Sequence, residues 1–229
     1  MSANKHPLVI ELLHDKVLRS NLIGCIIIWS MCAFNFYLLT FFMKYFPGSI
    51  YKNSFSFALS DMVAFTLSGF IVKRMSVHNG YKIAFLTSTV GGVLFVLFAS
   101  VQNLVFSSIT MTAFVPVLVC LCRMGVTMAF NIGYTSVPRL FPIKFQSTVY
   151  AVVNLFAHIV ACAAPLVAEI PSPLPFAAFV IAIVISASSL KFLKEIDRLF
   201  RGEVKEQDLE QNYYEVQENS GISRDEIHP

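Results

Sequence analysis

The sequence has little charge and carries none of the short motifs of the common catalytic folds. Only 14% of its 229 residues are Asp, Glu, Lys or Arg, whereas soluble domains contain about a quarter. It has no GxxxxGK, GxGxxG, HExxH or CxxC pattern, which excludes the signatures of phosphate-binding loops, dinucleotide folds, zinc proteases and thiol redox sites. No nucleophile is paired with a general base. We therefore predict no catalytic residue, no cofactor and no nucleic-acid partner.

Cysteine is absent from the places where a disulfide or a metal site would need it. The five cysteines all lie inside apolar segments. They are Cys25, Cys32, Cys120, Cys122 and Cys162. A disulfide framework belongs in exposed loops, and metal ligands follow short, regular spacings. We interpret these residues as small buried hydrophobic groups and predict no metal site.

Apolar residues take the place of charge, at 56% of the chain with a mean hydropathy of +0.67. Six segments reach or approach the roughly 20 residues that a helix needs to cross a hydrocarbon core of about 30 Å. They are 22–46, 55–72, 83–101, 107–133, 148–169 and 175–193. We predict an all-α integral membrane domain over 21–193. It follows a polar lead-in at 1–20 and precedes a cytosolic tail at 194–229 that we expect to be disordered.

The placement of basic residues predicts how the chain is oriented. Apart from Lys44, Lys52 and Arg123, every Lys and Arg lies in the lead-in, in the turns at 73–82 and 139–144, or in the C-terminal part. An excess of Lys and Arg marks cytoplasmic loops. We therefore expect both termini in the cytoplasm. The plasma membrane is the expected location, with an organelle membrane as the alternative.

Three ionisable side chains lie inside the apolar segments. They are Asp61, Arg123 and His158. A charge at the centre of a bilayer costs about 3 kcal/mol on insertion scales, so each is a candidate functional group. Two interpretations stay open for Asp61 and Arg123: a structural ion pair, or a role in binding or coupling. His158 taken alone is either a buried histidine with satisfied hydrogen bonds or a functional group.

Polar residues also recur at helical spacing on two segments. One set is Arg123, Thr127, Asn131 and Tyr134, and the other is Tyr150, Asn154 and His158. Spacings of three and four residues place each set on one helix face. Polar groups that face lipid have no partners. Both faces are therefore predicted to line a shared interior or an aqueous cavity.

Several of these segments resemble helices seven to twelve, the second half, of major facilitator superfamily transporters. The nearest likeness is to the organic cation/anion transporter family. Trp29 followed by Phe34-Asn-Phe-Tyr37-Leu resembles that family's seventh helix. Ala58-Leu-Ser-Asp61-Met-Val-Ala64 resembles its Ala-Leu-x-Glu-x-Pro-Ala eighth helix. Arg123-x-Gly-x-Thr-x-Ala-Phe resembles the start of its tenth helix, with arginine in the place of a lysine.

The resemblance implies a set of substrate-binding positions. The stretch from Tyr134 to Pro165 aligns with the family without a gap, and in that alignment His158 falls where family members carry a charge that helps to select the substrate. A histidine there could serve either sign of charge or carry a proton. The implied substrate-binding residues are Tyr37, Phe41, Asp61, Arg123, Asn131, Asn154 and His158.

The sequence departs from the family at the cytosolic turns. The family signature Glu-Leu-x-Pro-Thr-x-x-Arg has Arg139 in place of its glutamate and Gln146 in place of its arginine. The turn at 73–78 also differs from the family's Asp-Arg-x-Gly-Arg-Arg. These charges normally pair and hold one alternating state, so the resemblance marks Arg74, Arg139 and Gln146 as altered gating positions.

The family's first six helices have no counterpart in the sequence, which leaves three hypotheses. Alternating access rocks one six-helix half against the other. The first hypothesis is a transporter half for small organic ions, completed as a homodimer or by a separately encoded half. The second is a transport-inactive structural or assembly subunit of a membrane complex. The third is a truncated gene product. The lipid bilayer is a partner in all three.

Overall fold

The computed structural model describes residues 8–46, 49–105, 108–171 and 174–194, all within the unit Met1–Lys194. Throughout these ranges the chain is helical, without strands. The helices are α1 (Leu8–His14), α2 (Lys16–Phe42), α3 (Ile50–Arg74), α4 (Val77–Val105), α5 (Ser108–Leu140), α6 (Ile143–Ala161), α7 (Ala164–Ala168) and α8 (Leu174–Ser189). Short 3-10 turns follow α2 at Met43–Tyr45 and α8 at Leu190–Phe192. The predicted tail lies outside the described residues.

Six of the described helical segments are long and apolar enough to cross a membrane. They are Lys16–Tyr45, Ile50–Arg74, Val77–Leu97, Pro116–Leu140, Ile143–Ala168 and Leu174–Phe192. This confirms the sequence-based prediction of a multi-pass, all-α membrane domain. The fifth segment consists of two helices, α6 and α7.

Local sequence explains two of the helix boundaries. α2 begins at Lys16, inside the predicted lead-in, because the Oδ1 atom of Asp15 accepts hydrogen bonds from Val17 N at 2.7 Å and Leu18 N at 3.1 Å. Such an N-cap satisfies amide groups that have no partner within the helix. The fifth segment breaks after Ala161, and Pro165 lies in the first turn of α7. Proline lacks the backbone amide that would continue the hydrogen bonding of α6, so the helix cannot run on unbroken through Pro165.

Small residues allow α4 and α5 to pack with their backbones in contact. A Cβ atom added at Gly125 of α5 would lie 2.4 Å from Ser88 N and 2.6 Å from Ala84 O of α4. A Cβ atom at Gly91 would lie 2.7 Å from Cys122 N. Ser88 Oγ also donates to Cys122 O at 3.0 Å. The close approach fixes the rotation of α5, and with it the direction of the polar face that begins at Arg123.

α3 is attached by a single face. Its buried residues are Asn53, Phe57, Ser60, Ala64 and Ser68, which are spaced by three or four positions and therefore form one stripe. This stripe packs mainly against α5. Asp61 lies beside this stripe, and its side chain also contacts α5.

One asparagine ties three helix ends together. Asn21, near the start of α2, is fully buried. Its Nδ2 atom donates to Leu140 O at 3.1 Å and to Lys194 O at 2.9 Å, and its Oδ1 atom accepts from Lys194 N at 2.7 Å. The beginning of α2, the end of α5 and the chain after α8 therefore lie at the same end of the bundle. This end carries most of the described basic residues.

The cysteine interpretation needs one correction. All five cysteines are free, and Cys25, Cys32 and Cys122 are buried as predicted. Cys120 is half-buried, and Cys162 is exposed. Cys162 follows the last residue of α6, where the helix breaks and the chain leaves its packed face.

Candidate functional site

Asp61 of α3 and Arg123 of α5 form an ion pair inside the apolar bundle. Arg123 Nε donates to both carboxylate oxygens, at 3.0 and 3.1 Å, and Arg123 Nη2 donates to Asp61 Oδ2 at 2.8 Å. Only 7% of the Arg123 side chain and 19% of the Asp61 side chain are exposed. Thr127 Oγ1 donates a further bond to Asp61 Oδ1 at 2.7 Å. The carboxylate is therefore bound by two residues of α5.

The remaining donor group of Arg123 is engaged by α2. Its Nη1 atom donates to Thr40 Oγ1 at 2.8 Å and approaches Phe36 O at 3.5 Å. The guanidinium carbon also lies 4.0 Å from the ring centroid of Phe36 and 4.7 Å from that of Phe57, within the range of cation–π attraction. Arg123 thus joins α2, α3 and α5, and each of its nitrogens has a partner.

A pocket of about 300 Å³ opens beside this ion pair, between α2, α3, α5 and α6. Its walls are mainly aromatic, with four polar groups and a histidine. The lining residues are Ala33, Phe36, Tyr37, Phe65, Thr127, Phe130, Tyr134, Asn154, Ala157 and His158. Thr127 belongs both to this lining and to the hydrogen bonds of Asp61. The pocket and the ion pair are therefore neighbours that share one side chain.

Tyr134 and Asn154 of the pocket lining are hydrogen-bonded to each other and to Tyr150, which lies outside the lining. Tyr134 Oη donates to Asn154 Oδ1 at 3.2 Å, Asn154 Nδ2 donates to Tyr150 O at 2.8 Å, and Tyr150 Oη donates to Tyr134 O at 2.6 Å. The two tyrosine rings stack with centroids 6.0 Å apart. Trp29 packs edge-on against Tyr134 at 4.9 Å. These contacts hold α2, α5 and α6 in register around the pocket.

Five of the seven substrate-binding residues predicted from the sequence fall into two groups. Tyr37, Asn154 and His158 line the pocket, and Asp61 and Arg123 form the adjacent ion pair. The other two lie apart from both places. Asn131 donates from Nδ2 to Ser68 Oγ, which bridges α5 and α3. Phe41 is 45% exposed on α2, one position beyond Thr40.

Two of the three predicted gating residues, Arg139 and Gln146, donate hydrogen bonds within the bundle. Arg139 Nη2 donates to Val72 O at 2.8 Å, and its Nη1 atom donates to Met75 O at 3.4 Å. A guanidinium group that binds the last carbonyls of a helix is favoured by the helix dipole. Gln146 Nε2 donates to Phe141 O at 3.1 Å and braces the turn before α6. Arg74 is exposed at the end of α3.

A second ion pair, between Lys44 and Glu169, was not predicted from the sequence. Lys44 Nζ binds Glu169 Oε1, and Tyr45 Oη donates to Glu169 Oε2 at 2.7 Å. Together they join the turn after α2 to the end of α7. The sequence offers no signal for a pair separated by 125 positions. The hydrogen bond between Thr40 and Arg123 was also not predicted, because a threonine inside an apolar helix ordinarily bonds to its own backbone.

These features define a membrane domain of six apolar spans with a buried ion pair and, beside it, a largely apolar pocket that carries a few polar groups, a combination found in transport proteins. No protein-family model matches the chain. A search of curated proteins found a solute carrier family 22 member 15-like protein of Xenopus laevis, 29% identical over 196 residues. The match covers 84% of this chain and 39% of the relative. The chain thus spans well under half of that protein's length. The transporter resemblance drawn from the sequence is confirmed.

Proposed function

We propose that the chain is one half of a transporter for small organic ions, and that a second copy or a separate half completes it. The observation that carries the proposal is the pocket of about 300 Å³ that shares Thr127 with a membrane-buried ion pair. Ligand pockets are ordinarily apolar, with a few convergent polar groups, and span roughly 300–1,000 Å³. This pocket is at the lower limit, as expected for half of a site.

The lining of the pocket favours a small ion with an apolar body. Phe36, Phe65 and Phe130 offer ring surface that suits aliphatic groups, aromatic groups or an organic cation. Tyr37, Asn154 and His158 offer hydrogen bonds at fixed positions. The imidazole of His158 can donate or accept a hydrogen bond, so the same pocket can accept a substrate charge of either sign. The sign of the substrate charge is therefore tested by offering both an organic cation and an organic anion.

The ion pair has a supporting role in this proposal. A substrate that bound directly to Arg123 would have to displace Asp61, Thr40 or a backbone carbonyl. Breaking a buried pair leaves an uncompensated charge, which costs about 3–5 kcal/mol. We propose that Asp61 and Arg123 keep α2, α3 and α5 together while substrate binds next to them. Bound substrate contacts Thr127, and Thr127 connects it to the ion pair through its hydrogen bond to Asp61.

The basic end of the bundle supports a proposal for the orientation and the gating. We propose that this end, where Asn21, Arg139 and Lys194 lie, faces the cytoplasm, with both termini on that side. The plasma membrane is the proposed location. Arg139 holds α3 to α5 within the same half, so these two helices rock as one body in alternating access.

Uptake by the purified chain tests this proposal. The protein is reconstituted into vesicles, and uptake of labelled tetraethylammonium (an organic cation) and benzoate (an organic anion) is measured. We expect saturable uptake of one of them, and a native mass in mild detergent of two copies or more. His158→Gln should reduce uptake at least tenfold without changing yield or elution. Ile159→Ala, at the neighbouring exposed position on α6, is the matched control.

A transport-inactive structural subunit is the second candidate, and it is favoured by the complete pairing of Arg123. If every donor is satisfied within the bundle, the pair can act as a clasp with no ligand. In that case neither probe is taken up, and His158→Gln and Ile159→Ala behave alike. A monomer near 25.6 kDa of protein that takes up neither probe would overturn the self-completing transporter.

A further inference from the structure

A second cavity, of about 480 Å³, lies between α4 and the end of α8. We call it the basic groove. Its lining contains a basic set, His78, Lys82 and Lys191, and an apolar set that includes Phe85, Leu86 and Leu190. None of the described residues that line it is acidic. It shares no residue with the candidate site.

The two sets are arranged along the direction in which the helices cross the membrane. His78 and Lys82 lie one turn apart on the same face of α4, at the end of the helix that emerges from the bundle. Phe85 and Leu86 follow in the next turn, so the apolar wall begins about 5 Å further along the helix. Lys191 approaches from the turn after α8. The groove is therefore cationic at the surface and apolar towards the bilayer interior.

The lysines of the groove carry charge that the described part of the chain does not neutralise. Both are exposed. The ion pairs found among the described residues are Lys44–Glu169 and Arg123–Asp61, and neither involves Lys82 or Lys191. Lys191 Nζ lies 5.4 Å from the ring centroid of its neighbour Phe192. Two lysines on opposite sides of one groove favour an anionic group between them.

We propose that the basic groove binds one anionic phospholipid of the cytoplasmic leaflet. Lys82 and Lys191 bind the head-group phosphate, His78 donates a hydrogen bond to it, and an acyl chain lies along Leu86 and Leu190. Basic pockets between transmembrane helices on the cytoplasmic side recognise such head groups. The apolar wall distinguishes a lipid from free phosphate. The choice of leaflet rests on the orientation proposed above, but the site does not depend on transport.

Lipid binding to the full chain tests the proposal. Native mass spectrometry in mild detergent compares dioleoyl phosphatidylglycerol with dioleoyl phosphatidylcholine, which has the same acyl chains. We expect tighter binding of the anionic lipid. Each lysine should contribute about fivefold, so Lys82→Gln with Lys191→Gln should weaken phosphatidylglycerol binding by roughly 25-fold. Phosphatidylcholine binding should be unchanged, and Lys82→Arg with Lys191→Arg should retain the preference.

The matched control removes the same charge at the same end of the bundle but outside the groove. It is Lys16→Gln with Lys73→Gln, both at exposed positions, and it should keep the preference for phosphatidylglycerol. An equal loss in the control would overturn the proposal, because the attraction would then belong to the whole surface. Displacement by glycerol 3-phosphate at equal concentration would also overturn it. So would zero-length cross-links from Lys82 to a carboxylate within 195–229 that phosphatidylglycerol does not reduce.

Discussion

Two nitrogens of Arg123 donate hydrogen bonds to the Asp61 carboxylate, Nε at 3.0 and 3.1 Å and Nη2 at 2.8 Å. The third nitrogen turns away to Thr40 of α2. Planar, two-point contact of this kind is the strongest geometry for an arginine and a carboxylate. Both charges are needed for either one to be stable in the bundle. The pair therefore has a structural role whether or not it has a functional one.

A double-mutant cycle separates these roles. Asp61→Asn leaves Arg123 without a counter-charge, and Arg123→Gln does the same to Asp61. Each should destabilise the fold by about 3–5 kcal/mol, measured as a lower melting temperature in detergent. The double variant Asp61→Asn with Arg123→Gln should regain most of that stability, since two amides can hydrogen-bond to each other.

Uptake by the double variant then decides between the interpretations. Uptake near the wild-type rate would mean that the pair is a clasp. Uptake that stays lost in a stable double variant would mean that the charges themselves serve transport. If both single variants are as stable as the wild type, the ion pair does not hold the bundle together, and the description above is wrong.

The sequence was sufficient to predict where the helices lie in the chain, but not which residues they bring into contact. Apolar length predicted six membrane-spanning segments, and spacing predicted that Arg123, Thr127, Asn131 and Tyr134 share a face of α5. Helical spacing cannot say which neighbour each residue meets. Thr127 faces the pocket and Asp61, while Asn131, one turn away, meets Ser68. That difference depends on how α3 crosses α5.

Phe41 illustrates the same limit. Its place in the implied binding wall came from the resemblance, and its neighbour Thr40 is the residue that contacts Arg123. A step of one residue turns a helix by about 100°, so adjacent positions on α2 face different surroundings. The rotation of α2 is set by long-range packing against α6 and α8, which no local pattern encodes.

The contact between α4 and α5 gives a prediction about stability. Gly125→Ala places a methyl group 2.4 Å from Ser88 N and 2.6 Å from Ala84 O. Backbone atoms cannot move aside without separating the helices, so we expect a loss of about 3 kcal/mol, or roughly 6–12 °C in melting temperature. Gly69→Ala is the matched control, because nothing lies within 4 Å of the added methyl group. It should be neutral or slightly stabilising, since alanine favours helices. Equal melting temperatures for the two variants would contradict this packing.

The buried Asn21 predicts a second effect on stability. Asn21→Ala removes its bonds to Leu140 O, Lys194 O and Lys194 N. Unpaired buried polar groups cost about 1–3 kcal/mol, so the melting temperature should fall. Asn21→Asp should be at least as harmful, because a carboxylate would then face two carbonyl oxygens. Ser20→Ala, which loses one half-buried bond to Phe192 O at 2.9 Å, should have the smaller effect. A Ser20 variant as unstable as Asn21→Ala would argue against the role given to Asn21.

The ion pair after α7 predicts a dependence on pH. The pKa of Glu169 is lowered from 4.5, first because it accepts a hydrogen bond from Lys44 and then because it accepts one from Tyr45. A lowered folded-state pKa means that the ionised form stabilises the fold. This contribution is complete above about pH 4.5 and is lost as the pH falls through the lower, folded-state pKa. Glu169→Gln should therefore melt slightly below the wild type at pH 7, and the difference should vanish in acid. The expected difference in melting temperature is small because both side chains are exposed to solvent, 46% for Lys44 and 59% for Glu169. The partner variant Lys44→Gln should show the same pH-dependent difference in melting temperature. Lys52→Gln, which changes an exposed lysine in the first turn of α3, should not.

A difference that persists unchanged in acid would show that Glu169 acts by something other than its charge.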